Sequence, residues 1–396
     1  MAYTAGNAWA VDDRAERWAS TNQGVPSGLG VVSSHRTSGA RAVRSVLLER
    51  PEREESEDST LARGATRALG AGNRGTPEDP DPFRTCFERD RDRILHSTAF
   101  RRLAGKTQVF VYPADHQRTR LTHALEVAQV ATAVARATRL NVALTEAMAL
   151  GHDCGHGPGG HASESAFSPF LEEGYDHAVW GADVVFAPMN LCRETLDGVR
   201  NHSWSRPSPA TPEGLVVSWA DRIAYCAHDL EDAVRAGIVG TSELPRDLVD
   251  VIGVTRSSQL STFIDALISC ITSRGVVAME QGAAECLAAL RSFNYERIYT
   301  RPESIAQGNS VVTVLRALVE YFVENPDLVP AGSRQRSFAG SELGEVRSAV
   351  AYVAGMTDRY AFDMALDHLG WSPGKLPLGI DLPAFRLADE QRGSLS

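Results

Sequence analysis

Four residues of this chain have the types a divalent ion requires: His123, the adjacent pair His152 and Asp153, and Asp221. Mixed imidazole and carboxylate donors suit Mn²⁺, Fe²⁺, Co²⁺ or Zn²⁺. Four protein ligands also leave positions open on an octahedral ion for water and substrate. A His-Asp dipeptide alone is a weak signal, because the chain carries a second one at His228 and Asp229. The surroundings of the first one are a stronger signal. HDCGHGPGGHASE sets His152, Asp153, His156, His161 and Glu164 within thirteen residues, more ionisable groups than packing a glycine-rich turn requires.

Helices must position these groups. From Asp81 onward, segments at helical spacing follow one another, and no run of alternating strand residues interrupts them. The spacing predicts an all-α fold. In LTHALEVAQVATAVARATRL, His123 shares a face with Val127, Val130 and Val134, so that face turns inward. Asn141 is the expected N-cap of VALTEAMALGHD, and the glycines from Gly155 to Gly160 stop that helix. His152 and Asp153 therefore sit at a helix C-terminus. GLVVSWADRIAYCAHDLEDAVRAG puts Asp221, Tyr225, Asp229 and Asp232 on one side and Ile223, Ala227, Leu230 and Val234 on another, an arrangement able to line a cleft. Further helices are expected near 247–272, 277–291, 303–325 and 343–369. Proline and glycine spacing after Trp371 rules out another.

Residues 1–79 are rich in Gly, Ser, Arg and Glu, include the charge run ERPEREESED, and show almost no apolar periodicity. They read as a disordered N-terminal extension, with a helical core over 80–370 and a C-terminal tail over 371–396. The formal net charge of -10 excludes a general nucleic-acid coat or membrane-surface binder. No run of eighteen apolar residues and no signal peptide is visible, which predicts a cytoplasmic protein without membrane spans. Six widely spaced cysteines with no CxxC pair exclude a zinc knuckle. Only Lys106 and Lys375 are lysines, so arginine supplies the other basic groups, whose forked shape suits phosphate.

RLTHALEVAQVA, GHDCGHGPGGHASE and ADRIAYCAHDLEDAVRAG together resemble the signature segments of HD-superfamily deoxynucleoside triphosphate triphosphohydrolases, the dGTPase family. ERDRDRILHSTAFRRLAGKTQVF, RSFNYERIY and AGMTDRYA fit as well, so the resemblance spans residues 80 to 370 in order. It implies an HD-domain fold and hydrolysis of dGTP or another dNTP to deoxynucleoside and triphosphate. It also implies a homo-oligomer and one divalent ion per site (Mn²⁺, Mg²⁺, Co²⁺, Fe²⁺ or Zn²⁺) on His123, His152, Asp153 and Asp221. His161 and Glu164 match the family's catalytic pair. His156 and His177 match histidines near the phosphates, and His177 is the candidate acid for the leaving 5′ oxygen. Arg120 and Arg222 are expected on phosphate oxygens, Tyr225 on the deoxyribose, and Gln108 and Asp229 near sugar or base, while Arg118 enters by proximity alone. The chain departs from the family pattern at Gly159, where an aromatic wall is expected to be missing, at Ser163, and at Ala178, Trp180 and Gly181. Two alternatives stay open: the same site acting on another nucleotide, and a nucleotide-binding regulator with weak catalysis.

Overall fold

Capping residues and apolar stripes coincide along most of this chain, and where they do, helices form. The computed structural model describes residues 15, 16, 18, 19, 24–26, 30–35, 45–113, 117–331, 342–377 and 379. It divides into two units, Met1–Leu48 and Glu49–Ser396. In the first, β1 (Val25–Pro26) pairs antiparallel with β2 (Val32–Ser33). The second is all-α among its described residues. It opens with α1 (Arg50–Thr60), α2 (Cys86–Leu95) and α3 (Thr98–Arg102), then α4 (Arg120–Thr138) and α5 (Val142–Gly151). The short helices α6 (Ala162–Phe167) and α7 (His177–Trp180) follow, then α8 (Arg193–Asn201), α9 (Pro212–Arg235) and α10 (Arg246–Ile252). The chain continues through α11 (Arg256–Arg274), α12 (Gln281–Asn294), α13 (Pro302–Glu324), α14 (Glu342–Ala354) and α15 (Asp358–Leu369). None of the described helices is long and apolar enough to cross a membrane.

Two cores hold the helices. The first lies among α2, α4, α5, α8, α9, α11 and α12 and buries Val127, Val130, Val134, Leu144, Met148, Ile223 and Phe263. Burying a valine is worth about 1.5–3 kcal/mol, so turning His123 outward on α4 would expose three of them. The second core lies among α6, α13, α14 and α15 and buries Phe167, Val311, Leu315, Phe322, Val350 and Phe362. The chain leaves the first core at the end of α5 and enters the second at α6. The residues between these helices, 152–161, therefore run along the seam.

Residues 49–79 correct the expectation of an extension over 1–79. Glu52 accepts the N–H of Glu49 at 2.9 Å, Pro51 lies in the first turn, and Arg50 pairs with Glu54 at 2.6 Å, which together start α1. Beyond it, Ala65 and Ala68 are buried. Buried Glu213 of α9 accepts the N–H and hydroxyl of Thr66 at 3.0 and 2.7 Å and the N–H of Asn141 at 2.9 Å. Arg74 is locked to buried Asp90 at 2.6 Å. Helix α1 buries no residue fully, and the segment after it is anchored largely through polar groups, so apolar periodicity carried no trace of either. In the 371–396 tail, Pro373–Lys375 makes a single 3₁₀ turn and Leu376 is buried. Residues 378 and 380–396 lie outside the described residues, as do most of 1–48.

Candidate active site

Three helices deliver the four expected metal ligands to one point. His123 lies in the first turn of α4 and is 2% exposed. The side chain of Asn141 accepts the N–H of Leu144 and caps α5, whose far end presents His152 and Asp153. Asp221 projects from the middle of α9. His123 Nε2 lies 3.0 Å from Asp221 Oδ1 and 4.0 Å from Asp153 Oδ2. His152 Nε2 lies 3.5 Å from Asp153 Oδ1 and 3.6 Å from Asp221 Oδ1.

The donor set fits a cation. His152 Nδ1 faces the carbonyl of Ala149 at 2.7 Å, which places a proton on Nδ1 and points Nε2 at the two carboxylates, whose charge raises the imidazole to about 9 against burial. That Nε2 is buried without a hydrogen-bond partner. Burial opposes ionisation of Asp153, but the guanidinium of Arg120 and the imidazoles of His152 and His156 hold its carboxyl well below the usual range. Asp221 is likewise held low against burial by His123 and His152. Donor separations of 3.0–4.0 Å match what two bonds of about 2.1 Å to one ion span.

Beside this set lies a group of histidines suited to moving protons. Glu164, on α6, makes a short contact with His177 Nδ1 and accepts the backbone N–H of His177 at 3.3 Å. Its other oxygen is 3.8 Å from Nδ1 of His161, whose side chain is 73% exposed at the cavity rim. Against burial, His161 and His177 hold Glu164 below the carboxylate range. His156 stacks on His177 with centroids 3.7 Å apart and planes at 13°. The sequence reading paired Glu164 with His161, whereas its nearer partner is His177.

One member of this group went unforeseen. His202 follows α8 directly, is 2% exposed, and puts Nε2 3.2 Å from His177 Nε2. Its Nδ1 faces the Val199 carbonyl at 2.8 Å, so the two Nε2 atoms need a proton between them. The only sequence signal was a histidine in RNHSWSR, nineteen residues before Asp221.

A cavity of about 480 Å³ opens from the metal set. Gln108, Arg120, His156, Arg222, Tyr225 and Asp229 all line it, as do His123, Asp153, His161, His177 and Asp221, whereas His152 and Glu164 stand behind the wall. Arg120 is bound to Asp153 at 2.6 Å and leaves its buried Nε unpartnered. Arg222 lies 3.3 Å over the ring of Trp204. Arg291, also unforeseen, donates to the Tyr225 hydroxyl at 2.9 Å. Neither Arg222 nor Arg291 makes an ion pair among the described residues. At the far end, Tyr299 donates to Asp229 Oδ2 at 2.5 Å, while Asp229 Oδ1 and Gln108 Oε1 are buried without partners. Burial pushes the Asp229 carboxyl up to about 7.

Two expectations are corrected. Arg118 does not reach the cavity: Glu126 at 2.8 Å, Glu231 at 2.6 Å and Asp232 surround it, so Asp232 also turns away from the cleft. Nor is Gly159 merely a lost wall. Its φ is +70°, and a Cβ there would meet Val311 Cγ1 at 2.4 Å, so α13 fills the space.

Comparison with known proteins matches residues 120–226 to the HD domain and residues 277–366 to the phosphohydrolase-associated domain. A deoxyguanosinetriphosphate triphosphohydrolase-like protein of Caldanaerobacter subterraneus subsp. tengcongensis is 39% identical over 315 residues, covering 78% of this chain and 92% of its own. One of the same description from Desulfatibacillum aliphaticivorans is 38% identical over 330 residues, covering 78% and 94%. Another, from Clostridium perfringens strain 13, is 39% identical over 298 residues, covering 72% and 86%. The HD match contains all four converging metal-set residues, and the second match contains Arg291 and Tyr299.

Proposed function

The chain belongs to the family of deoxyguanosinetriphosphate triphosphohydrolase-like proteins, HD-domain phosphohydrolases, and from that premise we propose that it hydrolyses a deoxynucleoside triphosphate to deoxynucleoside and inorganic triphosphate. One observation carries this reading. His123, Asp153 and Asp221 of the metal set, with His152 directly behind them, line the same cavity as Arg222 and Arg291, two guanidiniums that make no ion pair among the described residues. A ligand with a run of negative charge satisfies both.

His123, His152, Asp153 and Asp221 would hold a divalent ion, which when bound supplies Lewis acidity toward a phosphate oxygen. Arg222 and Arg291 neutralise phosphate charge through forked donors, most strongly as charge develops. His161, exposed at the rim, accepts a proton from the attacking water. His177, held between the Glu164 carboxylate and His202, delivers a proton to the leaving 5′ oxygen. Tyr225 offers its ring to the sugar, and the unpartnered oxygens of Gln108 and Asp229 accept donors from sugar or base.

The test is chromatography of the products from each of the four dNTPs with Mn²⁺ present. Deoxynucleoside and triphosphate are expected. Release of orthophosphate or diphosphate would assign a different bond, and tight binding without turnover would assign the regulator.

A further inference from the structure

The segment Gly155–Gly160 carries His156 and leads into His161, and two buried charged side chains grip it from behind. Lys106 is 3% exposed. Its Nζ makes a short hydrogen bond to the carbonyl of His156 and donates at 3.0 Å to the carbonyl of Ala354, the last residue of α14. Asp358, the first residue of α15, is 4% exposed. Its Oδ1 accepts the N–H of Gly159 at 2.8 Å, and its Oδ2 accepts the N–H of Thr107 at 3.0 Å and the Thr107 hydroxyl.

Keeping these groups buried is expensive. Burial pushes the Lys106 ammonium down to about 8 and the Asp358 carboxyl up. They do not form an ion pair with each other. Each is enclosed by backbone groups, and simple cohesion is achieved more cheaply by apolar packing. Residue choice is also telling. Arginine is this chain's basic residue almost everywhere, with Lys106 and Lys375 the only lysines. A compact ammonium can sit between two carbonyls, whereas a five-donor fork there would leave donors unpaired.

We infer that Lys106 and Asp358 are positioning residues of the hydrolytic site, through which α14 and α15 fix the segment carrying His156 and so the aim of His161 and of the stacked His156–His177 pair. The C-terminal helices thereby become part of the machinery although they contribute no metal ligand. This inference rests on the hydrolase reading above. The metal set stands on α4, α5 and α9, so loosening the grip separates alignment from ion binding.

The experiment compares full-length Lys106→Met and Asp358→Asn with wild type. Thermal midpoint, Mn²⁺ content, hydrogen exchange of a peptide spanning 155–160, and kcat and KM for the best dNTP are measured on each preparation. Expected are wild-type metal content, faster exchange in that peptide alone, and kcat lower by roughly ten- to a hundredfold with KM nearly unchanged, the range for misplaced reacting groups. A folded, metal-loaded variant with wild-type kcat overturns the inference, as does unchanged exchange. If either variant fails to fold, Thr107→Val removes only the hydroxyl bond to Asp358 and carries the same test, with wild-type kcat despite faster exchange again overturning it. If wild type releases triphosphate from no dNTP, the hydrolase reading falls by itself. The exchange arm then still decides whether the anchor exists.

Discussion

His152 Nε2 is buried, faces two carboxylates and makes no hydrogen bond, so removing one of those carboxylates should empty the site before it unfolds the protein. Asp153→Asn keeps the side-chain volume and the valine stripe beneath His123. It should purify folded and metal-poor, and full occupancy by elemental analysis would overturn the ligand set. His161→Ala should retain its metal and lose turnover by roughly 10² to 10⁴, the range for a positioned acid or base. Glu164 touches His177 more closely than His161. Double-mutant cycles in kcat should therefore show stronger coupling of Glu164→Gln to His177→Ala than to His161→Ala. Equal or reversed coupling would restore the pairing expected from sequence. Asp229 supplies a pH test. Its folded carboxyl is raised to about 7 against an ordinary value of 3.8, so the folded state holds a proton that the unfolded chain releases between those values. Stability from this group is then present below pH 3.8 and lost as pH rises to 7. The thermal midpoint of Asp229→Asn relative to wild type should climb through that interval, and a flat difference would contradict the raised value.

The segment between α5 and α6 turns on backbone that a side chain resists. Gly159 adopts φ +70° with Val311 against it, so Gly159→Ala should lower stability by about 1–3 kcal/mol through strain and overlap together. Val311→Ala alone opens a cavity. In the double variant the added methyl occupies part of that cavity, so the combined loss in thermal stability should be smaller than the sum. Simple additivity would show that Val311 is not what fills the space. The same reasoning explains why an aromatic residue is absent here: the second core already occupies that volume.

For the whole molecule, the unit that carries the helices begins at Glu49 rather than at residue 80. Deleting residues 1–79 removes Arg74 and leaves Asp90 buried without its cation, a change worth about 3–5 kcal/mol. Deleting 1–48 leaves that pair intact. Thermal midpoints should fall far more for the longer deletion, and equal midpoints would return residues 49–79 to the status of an extension. The helical class, the inward face of His123, the Asn141 cap and the positions of His152, Asp153 and Asp221 on their helices are all legible in the amino-acid sequence. Each of these depends on a 3.6-residue period or on a cap spanning one turn, and such signals are local. The partner that Glu164 takes, the enclosure of Arg118 by carboxylates, and the reach of His202, Arg291 and Tyr299 into the cavity from segments far along the chain emerge from the packed fold. Those outcomes depend on how helices cross and on polar contacts between distant segments. The anchoring of residues 49–79 through Glu213 and Asp90 has the same origin, since a hydrogen bond between remote groups leaves no period in either segment.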